Sequence, residues 1–259
     1  MSSFKLPHFS LDLAGQTALV TGASSGLGWR FAEVLAACGA RVAVTARRTD
    51  RLKRLAQKIR ETGGVAEPFA LDVARTDGFD DVLDRVEARL GRVTILVNNA
   101  GVPDAQYATG LPLETVNAVL DTNLRGAFLL SREVARRLVA AKTGGKMVNV
   151  ASMAAYSYSG GGAALYSISK SAVVRMTEVL AVEWAKFGIN VNGIAPGVID
   201  SEMTTGMFDR MSRDMVDHFP RKRVGDPAHL DGALLFLVSP SSEFVTGTII
   251  KVDDGQGAR

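Results

Sequence analysis

The chain has 259 residues, 47% hydrophobic and 22% charged, with a net charge of +3, a balance ordinary for a folded globular protein. One cysteine, Cys38, excludes an internal disulfide bond, and three scattered histidines argue against a zinc site or a histidine-dependent hydrolase triad. No apolar run reaches the roughly 18 residues that a membrane helix needs, and the stretch MSSFKLPHFS lacks the apolar core of a secretory signal, so we expect a cytoplasmic protein with no membrane partner.

Apolar runs and helical patterns alternate along the chain. TALVTG is a short apolar run, apolar residues from Leu27 to Cys38 follow at helical spacing, and RVAVTA is a second apolar run, which predicts one β-α-β unit. The alternation continues through a helix between Phe79 and Leu90, the run TILVNNA, a helix at about 113–140, the run KMVNVAS, a helix from about Ala164 to Phe187, the run INVNGIA, a helix from about Ala228 to Val238, and a last run near TIIKV.

These runs are continuously apolar, so the strands should be covered on both faces, as in a parallel sheet. The pattern therefore predicts a single-domain, doubly wound α/β fold with a seven-stranded parallel sheet and helices on both faces. We place this domain at residues 14–259, after an N-terminal extension at residues 1–13.

The alternation stops between Asp200 and Asp226. This segment holds four methionines and two phenylalanines among many polar residues, and long connections without regular structure are often functional. We interpret residues at about 200–226 as a partly helical substrate lid. A surface excursion with ordinary packing fits the same pattern.

The motif TGASSGLG lies where the first strand should turn into the first helix. Gly22 can adopt turn conformations closed to other residues, Gly26 allows close approach of a ligand, and Gly28 leaves room for the helix to pack against the strand. A helix N-terminus with free N–H groups can bind a pyrophosphate. The spacing differs from the common G-x-G-x-x-G fingerprint, but the strand-turn-helix context favours dinucleotide binding.

The end of the second strand reads Ala46, Arg47, Arg48, without the acidic residue that would bind a ribose 2′-hydroxyl. Guanidinium groups match phosphate geometry, so we expect NADP(H) to be preferred over NAD(H), with Arg47 as the main contact and Arg48 as a helper. The alternative is that both arginines only begin the solvated basic helix RRTDRLKRLAQKIR. That helix has no aromatic residue among its basic ones, so it does not indicate nucleic-acid binding.

Tyr166 and Lys170 stand four residues apart in a predicted helix and so share one face. A tyrosine has an unperturbed pKa of about 10, and a nearby ammonium should lower it, which suits a proton donor working near neutral pH. Tyr156 and Tyr158 have no lysine four residues further on.

With TGASSGLG, NNAG at Asn98 to Gly101, and Tyr166-x-x-x-Lys170, the chain resembles the classical short-chain dehydrogenase/reductase family over residues 14–255. Further matching motifs are LDV, NLRG, NVAS, Pro196-Gly197 and VDDG. The resemblance implies a Rossmann fold and an NADP-dependent oxidoreductase that transfers hydride between nicotinamide and a carbonyl or secondary alcohol.

The resemblance also implies roles for individual residues. Tyr166 would donate the proton, Lys170 would tune that phenol and bind the cofactor's ribose, Ser152 would bind the substrate oxygen, and Asn123 would hold a water; Asn98 would line the cofactor or brace the sheet. The implied cofactor-binding residues are Gly22, Ser24, Ser25, Gly26, Leu27, Gly28, Arg47, Arg48, Asp72, Val73, Asn99, Ala100, Gly101, Tyr166, Lys170, Pro196, Gly197 and Ile199, with Asp72 at the end of the third strand bonding the adenine.

The residues expected to face the substrate are mostly apolar, with adaptable methionines, which suits a hydrophobic ketone or secondary alcohol better than a sugar. They are Ser152, Met153, Tyr156, Tyr158, Tyr166, Met203 and Met207, with Pro103 and Phe208. Ser152 precedes Tyr166 by fourteen residues, where about thirteen are expected in the family, and the glycines of SYSGGGA could absorb the difference.

Two other functions fit parts of the pattern. A 3-oxoacyl carrier-protein reductase is the first, although an arginine is often found near the end of the tyrosine-bearing helix in such enzymes, where this chain has Phe187. A non-enzymatic NADP-binding sensor is the second.

The apolar residues between Val173 and Trp184 also favour a homo-oligomer, a dimer or tetramer, unless helices of the same chain cover them.

Overall fold

The computed structural model describes residues 10–104, 106–158, 160–208 and 213–257, without the side chains of Met207 and Arg213. Its strands are β1 (Thr17–Thr21), β2 (Arg41–Ala46), β3 (Val65–Ala70), β4 (Ile95–Asn98), β5 (Gly145–Val150), β6 (Ile189–Pro196) and β7 (Ile249–Val252). They form a seven-stranded sheet in the order β3-β2-β1-β4-β5-β6-β7, with every neighbouring pair parallel. The predicted doubly wound Rossmann fold is confirmed.

Helices cover both faces of this sheet. They are α1 (Gly26–Ala37), α2 (Thr49–Glu61), α3 (Phe79–Leu90), α4 (Leu113–Leu120), α5 (Gly126–Ala140), α6 (Ala164–Trp184), α7 (Glu202–Phe208) and α8 (Asp231–Val238). One apolar core lies between the sheet and α1, α2 and α8. A second core lies between the opposite face and α3, α5 and α6. No helix in the described ranges is both long enough and apolar enough to cross a membrane.

The predicted helix at 113–140 contains a widened turn. A π-helical segment, Asp121–Arg125, joins α4 to α5 without interrupting the helix. Directly after it, a Cβ on Gly126 would lie only 2.2 Å from the main-chain oxygen of Val73. The helix therefore packs backbone to backbone against the segment that follows β3. Single π turns inside α-helices are frequent at functional sites, and Asn123 lies in this one.

The predicted helix ends differ from the structure by one short turn at two places. After α6, the residues Ala185–Phe187 form a 3₁₀ turn, which ends at Gly188 with a φ of 71°. Before α8, Pro227–Leu230 form another 3₁₀ turn, capped by the side chain of Asp226. Pro227 begins this turn, and because proline has no N–H it cannot make the hydrogen bond that a longer helix would need at this position.

The expectation that the strands are covered on both faces is wrong at the two sheet edges: β7, within the run TIIKV, has no buried residue, and β3, which no quoted run predicted, is buried only in part. Strand β3 has exposed ends and contains Pro68. An edge strand tolerates proline because it pairs with a neighbour on one side only, so an N–H on its free side makes no inter-strand hydrogen bond. Strand β3 also ends at Ala70, so Asp72 lies two residues beyond the strand and does not end it.

The segment at 200–226 is partly helical in its described part. It contains α7 and a 3₁₀ turn at Arg213–His218, while residues 209–212 lie outside the described residues. Its two ends meet at a parallel bridge between Ile199 and Gly225, and the N–H of Asp200 donates to the oxygen of Gly225 at 2.8 Å. The segment is thus anchored at its base. Most of the expected N-terminal extension, residues 1–9, also lies outside the described residues.

Candidate active site

A cleft of about 840 Å³ opens at the carboxyl ends of the strands, where the chain passes from one half of the sheet to the other. Ligands of doubly wound folds bind at this switch point. Every residue of the expected cofactor set lines the cleft except Gly28. Of the four expected catalytic residues, Ser152, Tyr166 and Lys170 line it and Asn123 lies behind it.

The loop after β1 is held by close backbone contacts. Gly22 has a φ of +66°, and a Cβ there would lie 2.8 Å from the Cα of Ala100. The side-chain amide of Asn99 donates to the main-chain oxygens of Thr21 at 2.9 Å and Gly22 at 3.3 Å. These contacts present the start of α1 to the cleft as an open cradle, which fits a pyrophosphate.

Gly28 packs against the loop after β1 and does not line the cleft. A Cβ on Gly28 would lie 2.4 Å from Nδ2 of Asn99 and 2.5 Å from the oxygen of Gly22. The residue lies behind the loop, where its missing side chain lets α1 approach β1, as the sequence analysis expected. Its expected contact with the cofactor stays a prediction.

The two arginines after β2 differ in their surroundings. Arg48 donates through Nε to the hydroxyl of Ser24 at 3.1 Å and through Nη2 to that of Ser25 at 2.7 Å. Its Nη1 donates to Glu202 at 2.9 Å. Arg47 is exposed, lines the cleft and has no ion-pair partner among the described residues. One guanidinium is thus held against the phosphate loop, and the other is available to a ligand.

Tyr166 and Lys170 lie one turn apart on α6 and both face the cleft. Lys170 is buried, its Nζ donates to the main-chain oxygen of Val150 at 2.7 Å, and it lies 5.7 Å from the centre of the Tyr166 ring. Burial lowers the pKa of Lys170 to about 8, because the charged ammonium is poorly solvated there.

The pKa of Tyr166 moves opposite to the expected direction. Burial of the phenol raises its pKa, and a hydrogen bond with Ser152 lowers it by less. The expected net lowering of this pKa is therefore wrong for this state of the protein. The ammonium donates to Val150 and is itself destabilised by burial, so it does not offset the desolvation of the phenol.

Asn123 braces the site through its side chain. Its Oδ1 accepts from the N–H of Val102 at 2.8 Å, and its Nδ2 donates to the oxygen of Val102 and to the hydroxyl of Ser169, both at 3.0 Å. These bonds use both amide hydrogens and tie the loop after β4 to α6. The expected water-holding role stays a prediction. Asn98 similarly braces the sheet, donating at 2.8 Å to Ser131 and to Asn149.

Asp104 is a residue that the sequence analysis missed. It is buried, and its two carboxylate oxygens accept from the N–H groups of Tyr166 at 2.9 Å and Leu165 at 3.0 Å. Ala163, at the start of α6, has a φ of 65° and no capping side chain. The helix that carries Tyr166 is therefore capped by a carboxylate more than 60 residues earlier in the chain, where it also complements the helix dipole.

The expected substrate residues fall into three groups. Ser152, Met153, Tyr158, Tyr166, Met203 and Pro103 line the cleft. Tyr156 and Phe208 do not line it, and the side chain of Met207 lies outside the described residues. The ring of Tyr156 packs under the ammonium of Lys251, 4.2 Å from the ring centre, and its expected contact with the substrate stays a prediction.

Other lining residues come from chain segments with no distinctive motif. Met215 and Phe219 belong to the end of the 200–226 segment, and Gln256 and Gly257 belong to the C-terminal segment. Gln256 also accepts from the N–H of Val198 at 2.6 Å. The methionines and phenylalanines of the 200–226 segment indicated a part for residues such as Met215 and Phe219 in a substrate lid. No local sequence pattern indicated that the C-terminal segment would line the cleft.

Comparisons with known proteins agree with this geometry. Residues 22–256 match the family model described as enoyl-(acyl carrier protein) reductase. The 2-dehydro-3-deoxy-D-gluconate 5-dehydrogenase of Dickeya dadantii (strain 3937) is 35% identical over 254 residues, covering 96% of this chain and 98% of that protein.

Two crystal structures are similar over nearly their whole length. A short-chain type dehydrogenase/reductase from Mycobacterium marinum has a TM-score of 0.92 and 37% identity, covering 96% of this chain and 98% of that one. A gluconate 5-dehydrogenase from Burkholderia cenocepacia J2315, in complex with NADP and tartrate, has a TM-score of 0.89 and 33% identity, covering 95% and 96%.

Proposed function

Because the chain belongs to the short-chain dehydrogenase/reductase family of oxidoreductases, we propose that it transfers hydride between NADP(H) and an apolar ketone or the matching secondary alcohol. The resemblance inferred from the sequence is confirmed at the level of the family. The observation that carries the proposal is the placement of Ser152, Tyr166 and Lys170 in one cleft with the apolar side chains of Met153 and Met203.

The choice of NADP(H) rests on charge at the nucleotide end of the cleft. Arg47 and Arg48 line it, and Ala46 stands where an acidic residue would bind a ribose diol. The similar gluconate 5-dehydrogenase was crystallised with NADP. The residues that would hold the cofactor are the loop after β1, the two arginines, Asp72 and Lys170.

The side chains of the cleft suit reduction. The bound cofactor supplies the hydride. The hydroxyl of Ser152 would bind the substrate oxygen, and Tyr166 would protonate that oxygen as negative charge develops on it. Because burial raises the pKa of Tyr166, the phenol is protonated at neutral pH and ready to act as an acid. Lys170, 5.7 Å from the ring centre, would stabilise the phenolate left behind.

The substrate end of the cleft favours an apolar compound. Among the described residues that line the cleft, the basic ones are Lys170 in the catalytic group and the two arginines at the nucleotide end. A sugar acid, the type of substrate named for the relatives, would find no further cation for its carboxylate among these described lining residues. Met153, Tyr158, Met203, Met215 and Phe219 instead offer apolar contact.

A 3-oxoacyl thioester is the second candidate substrate. The matching family model is described as enoyl-(acyl carrier protein) reductase, a name that refers to acyl thioesters but not to the 3-oxo group, and the apolar wall would accept an acyl chain. Phe187, exposed at the end of the α6 segment, would not attract an acidic carrier protein as an arginine would. We therefore rank the free ketone first.

The protein would work as a homo-oligomer. On α5 and α6, the apolar side chains of Phe128, Ile168, Val179 and Val182 are exposed, while others on α6 are covered by the chain's own core. An apolar helix face left open in one chain is a suitable contact for a second copy.

NADPH oxidation followed by absorbance tests the proposal, with apolar ketones, 5-keto-D-gluconate and 3-oxoacyl thioesters as substrates and NADH in parallel. We expect turnover of the ketones with NADPH. Activity confined to thioesters would favour the second candidate, and activity confined to the keto acid would contradict the apolar assignment. Tight NADPH binding without turnover of any carbonyl would contradict an enzymatic role.

A further inference from the structure

Glu202 connects the segment at 200–226 to the nucleotide end of the cleft. It is the first residue of α7, and it lines the cleft. One carboxylate oxygen accepts from Arg48 at 2.9 Å, and the other forms an ion pair with Arg51. These contacts join the lid segment to the strand end where a 2′-phosphate is expected.

Three of the five N–H groups of the Arg48 guanidinium are used in hydrogen bonds to described residues, which leaves one N–H on each of Nη1 and Nη2. Nε and Nη2 donate to the neutral hydroxyls of Ser24 and Ser25, and Nη1 donates to Glu202. A phosphate that bound this guanidinium would lie beside Glu202, the one charged acceptor of the three, and the two negative charges would repel each other. A bidentate phosphate on Nη1 and Nη2 would therefore compete with Glu202 for Arg48.

The ion pair between Glu202 and Arg48 is charged at neutral pH but weak enough for a phosphate to displace. Hydrogen bonds from Arg51 lower the pKa of Glu202 to about 2, so the carboxylate is ionised at neutral pH. Its side chain is 51% exposed and that of Arg48 46%, and ion pairs exposed to this degree contribute little to stability. A phosphate offers a larger charge and a bidentate match to the same guanidinium.

We propose that Glu202 competes with the 2′-phosphate of NADP(H) for Arg48, so that phosphate binding breaks one of the two ion pairs that hold the first turn of α7 and leaves the pair with Arg51, while NAD(H) leaves both pairs in place. This inference rests on the proposed NADP(H) function. Glu202 is then a specificity-determining residue: it reduces the affinity for the phosphorylated cofactor and links the identity of the nucleotide to the anchorage of the lid segment.

The opposite role for Glu202 predicts a change in nucleotide affinity in the opposite direction. If Glu202 served to orient Arg48 toward the phosphate, neutralising it would weaken binding of the phosphorylated nucleotide. If it competes, neutralising it strengthens that binding. Glu202→Gln keeps the shape of the side chain and removes the charge, so the change in affinity reports the charge alone.

Titration calorimetry with adenosine 2′,5′-bisphosphate and 5′-AMP tests the competition, since the two probes differ by the 2′-phosphate. We expect E202Q to bind the bisphosphate about two- to fivefold more tightly, as the energy of exposed ion pairs implies, with AMP unchanged. Glu33→Gln is the matched control, because Glu33 pairs with Lys58 at 2.7 Å and not with Arg48. Unchanged or weaker bisphosphate binding by E202Q alone would overturn the inference.

The same probes separate failure of this inference from failure of the proposed function. A wild-type protein that binds the bisphosphate no better than AMP would contradict the 2′-phosphate site, and with it the preference for NADP(H). A wild-type protein that prefers the bisphosphate, with E202Q no better than wild type, would contradict only the competition.

Hydrogen exchange tests whether α7 is held less firmly when the pair with Arg48 is lost. We expect the amides of residues 202–208 to exchange faster in the wild-type protein with bisphosphate than with AMP, and equally fast with either probe in E202Q. Protection of these amides by the bisphosphate in the wild type would overturn this part of the inference.

Discussion

The two walls of the cleft are built differently. On the nucleotide side, backbone meets backbone: Gly22 lies against Ala100, and the Asn99 amide is bonded to the carbonyl oxygens of the β1 loop. On the substrate side, the contacts come from side chains such as Met153, Met203 and Met215, which lie on short helices and 3₁₀ turns. The first wall therefore tolerates little change without loss of folding, whereas the second can vary with the substrate.

Tyr166 lies where the two walls meet, and its replacement should have the largest effect. Tyr166→Phe removes the proton donor while keeping the ring, so we expect turnover to fall by about 10²–10⁴-fold, the usual contribution of general acid catalysis, with NADPH affinity retained. Steady-state kinetics and fluorescence titration of NADPH measure the two quantities.

Lys170→Ala is the matched comparison for this prediction. Lys170 is expected both to stabilise the phenolate and to bind the ribose, so its loss should reduce turnover and NADPH affinity together. Equal loss of NADPH affinity in the Phe and Ala variants would contradict this division of roles.

Packing of the nucleotide wall predicts the next largest effect. In Gly28→Ala the new methyl group would lie 2.4 Å from Asn99 and 2.5 Å from the oxygen of Gly22. We expect a loss of about 1–3 kcal/mol in the free energy of unfolding, as for other overpacked sites, together with weaker NADPH binding. Denaturant titration measures the first quantity.

Gly232→Ala provides the control for that variant. Gly232 lies in α8 with no atom within 4 Å of its Cβ position, so alanine should stabilise the helix by about 0.5–1 kcal/mol. Equal stability changes at the two positions would show that the loop after β1 is not tightly packed.

The sequence predicted the nucleotide wall better than the substrate wall, for a physical reason. A close backbone approach requires glycine, so Gly22 and Gly28 reveal it locally. The cap that Asp104 places on α6 joins residues more than 60 positions apart, and no local pattern encodes it. The orientation of Tyr156 depends likewise on Lys251, which lies on a distant strand.

The ionisation of Tyr166 and Lys170 could not be predicted from local sequence either. Spacing alone places Tyr166 and Lys170 on one face of α6. The direction of the shift in the pKa of Tyr166 depends on how deeply the surrounding chain buries the phenol. Burial is a property of the whole fold, so the spacing could identify the pair but not its ionisation.

Burial of Lys170 predicts a pH dependence of stability in the cofactor-free protein. Its folded pKa of about 8 lies below the unfolded value, so between pH 8 and 10 the unfolded state binds more protons and stability rises with pH. We expect this lysine to contribute about 2 kcal/mol across that interval. Denaturation of wild type and Lys170→Met at pH 8 and pH 10 measures the difference.

The expected result for Lys170→Met is the loss of that rise relative to wild type. Above pH 10 the raised pKa of Tyr166 acts with the opposite sign, because the folded state keeps a proton that the unfolded state loses. The comparison is therefore confined to the interval between pH 8 and 10. An identical pH dependence in both proteins would contradict the burial of a titrating ammonium.

A smaller effect is expected at Arg47, which lines the nucleotide wall without a partner of its own among the described residues. Arg47→Ala should weaken NADPH binding by about tenfold, the low end for a hydrogen bond to a charged group, since the side chain is exposed. NADH binding should stay within about twofold of wild type. Equal losses for both cofactors would remove Arg47 from the phosphate site.

The smallest effect is expected on the substrate wall. Met203 is 38% exposed and lines the cleft from α7, so Met203→Ala removes apolar contact with a bound ketone without opening a cavity in either core. We expect KM for apolar ketones to rise by about two- to fivefold, consistent with partial loss of one buried side chain, while kcat and the affinity for NADPH stay unchanged. Leu113→Ala, which truncates an exposed residue on α4 outside the cleft, is the control. A fall in NADPH affinity or in unfolding free energy in Met203→Ala would mean that the two walls are not independent, because the lid side chain would then support the nucleotide wall as well as the substrate.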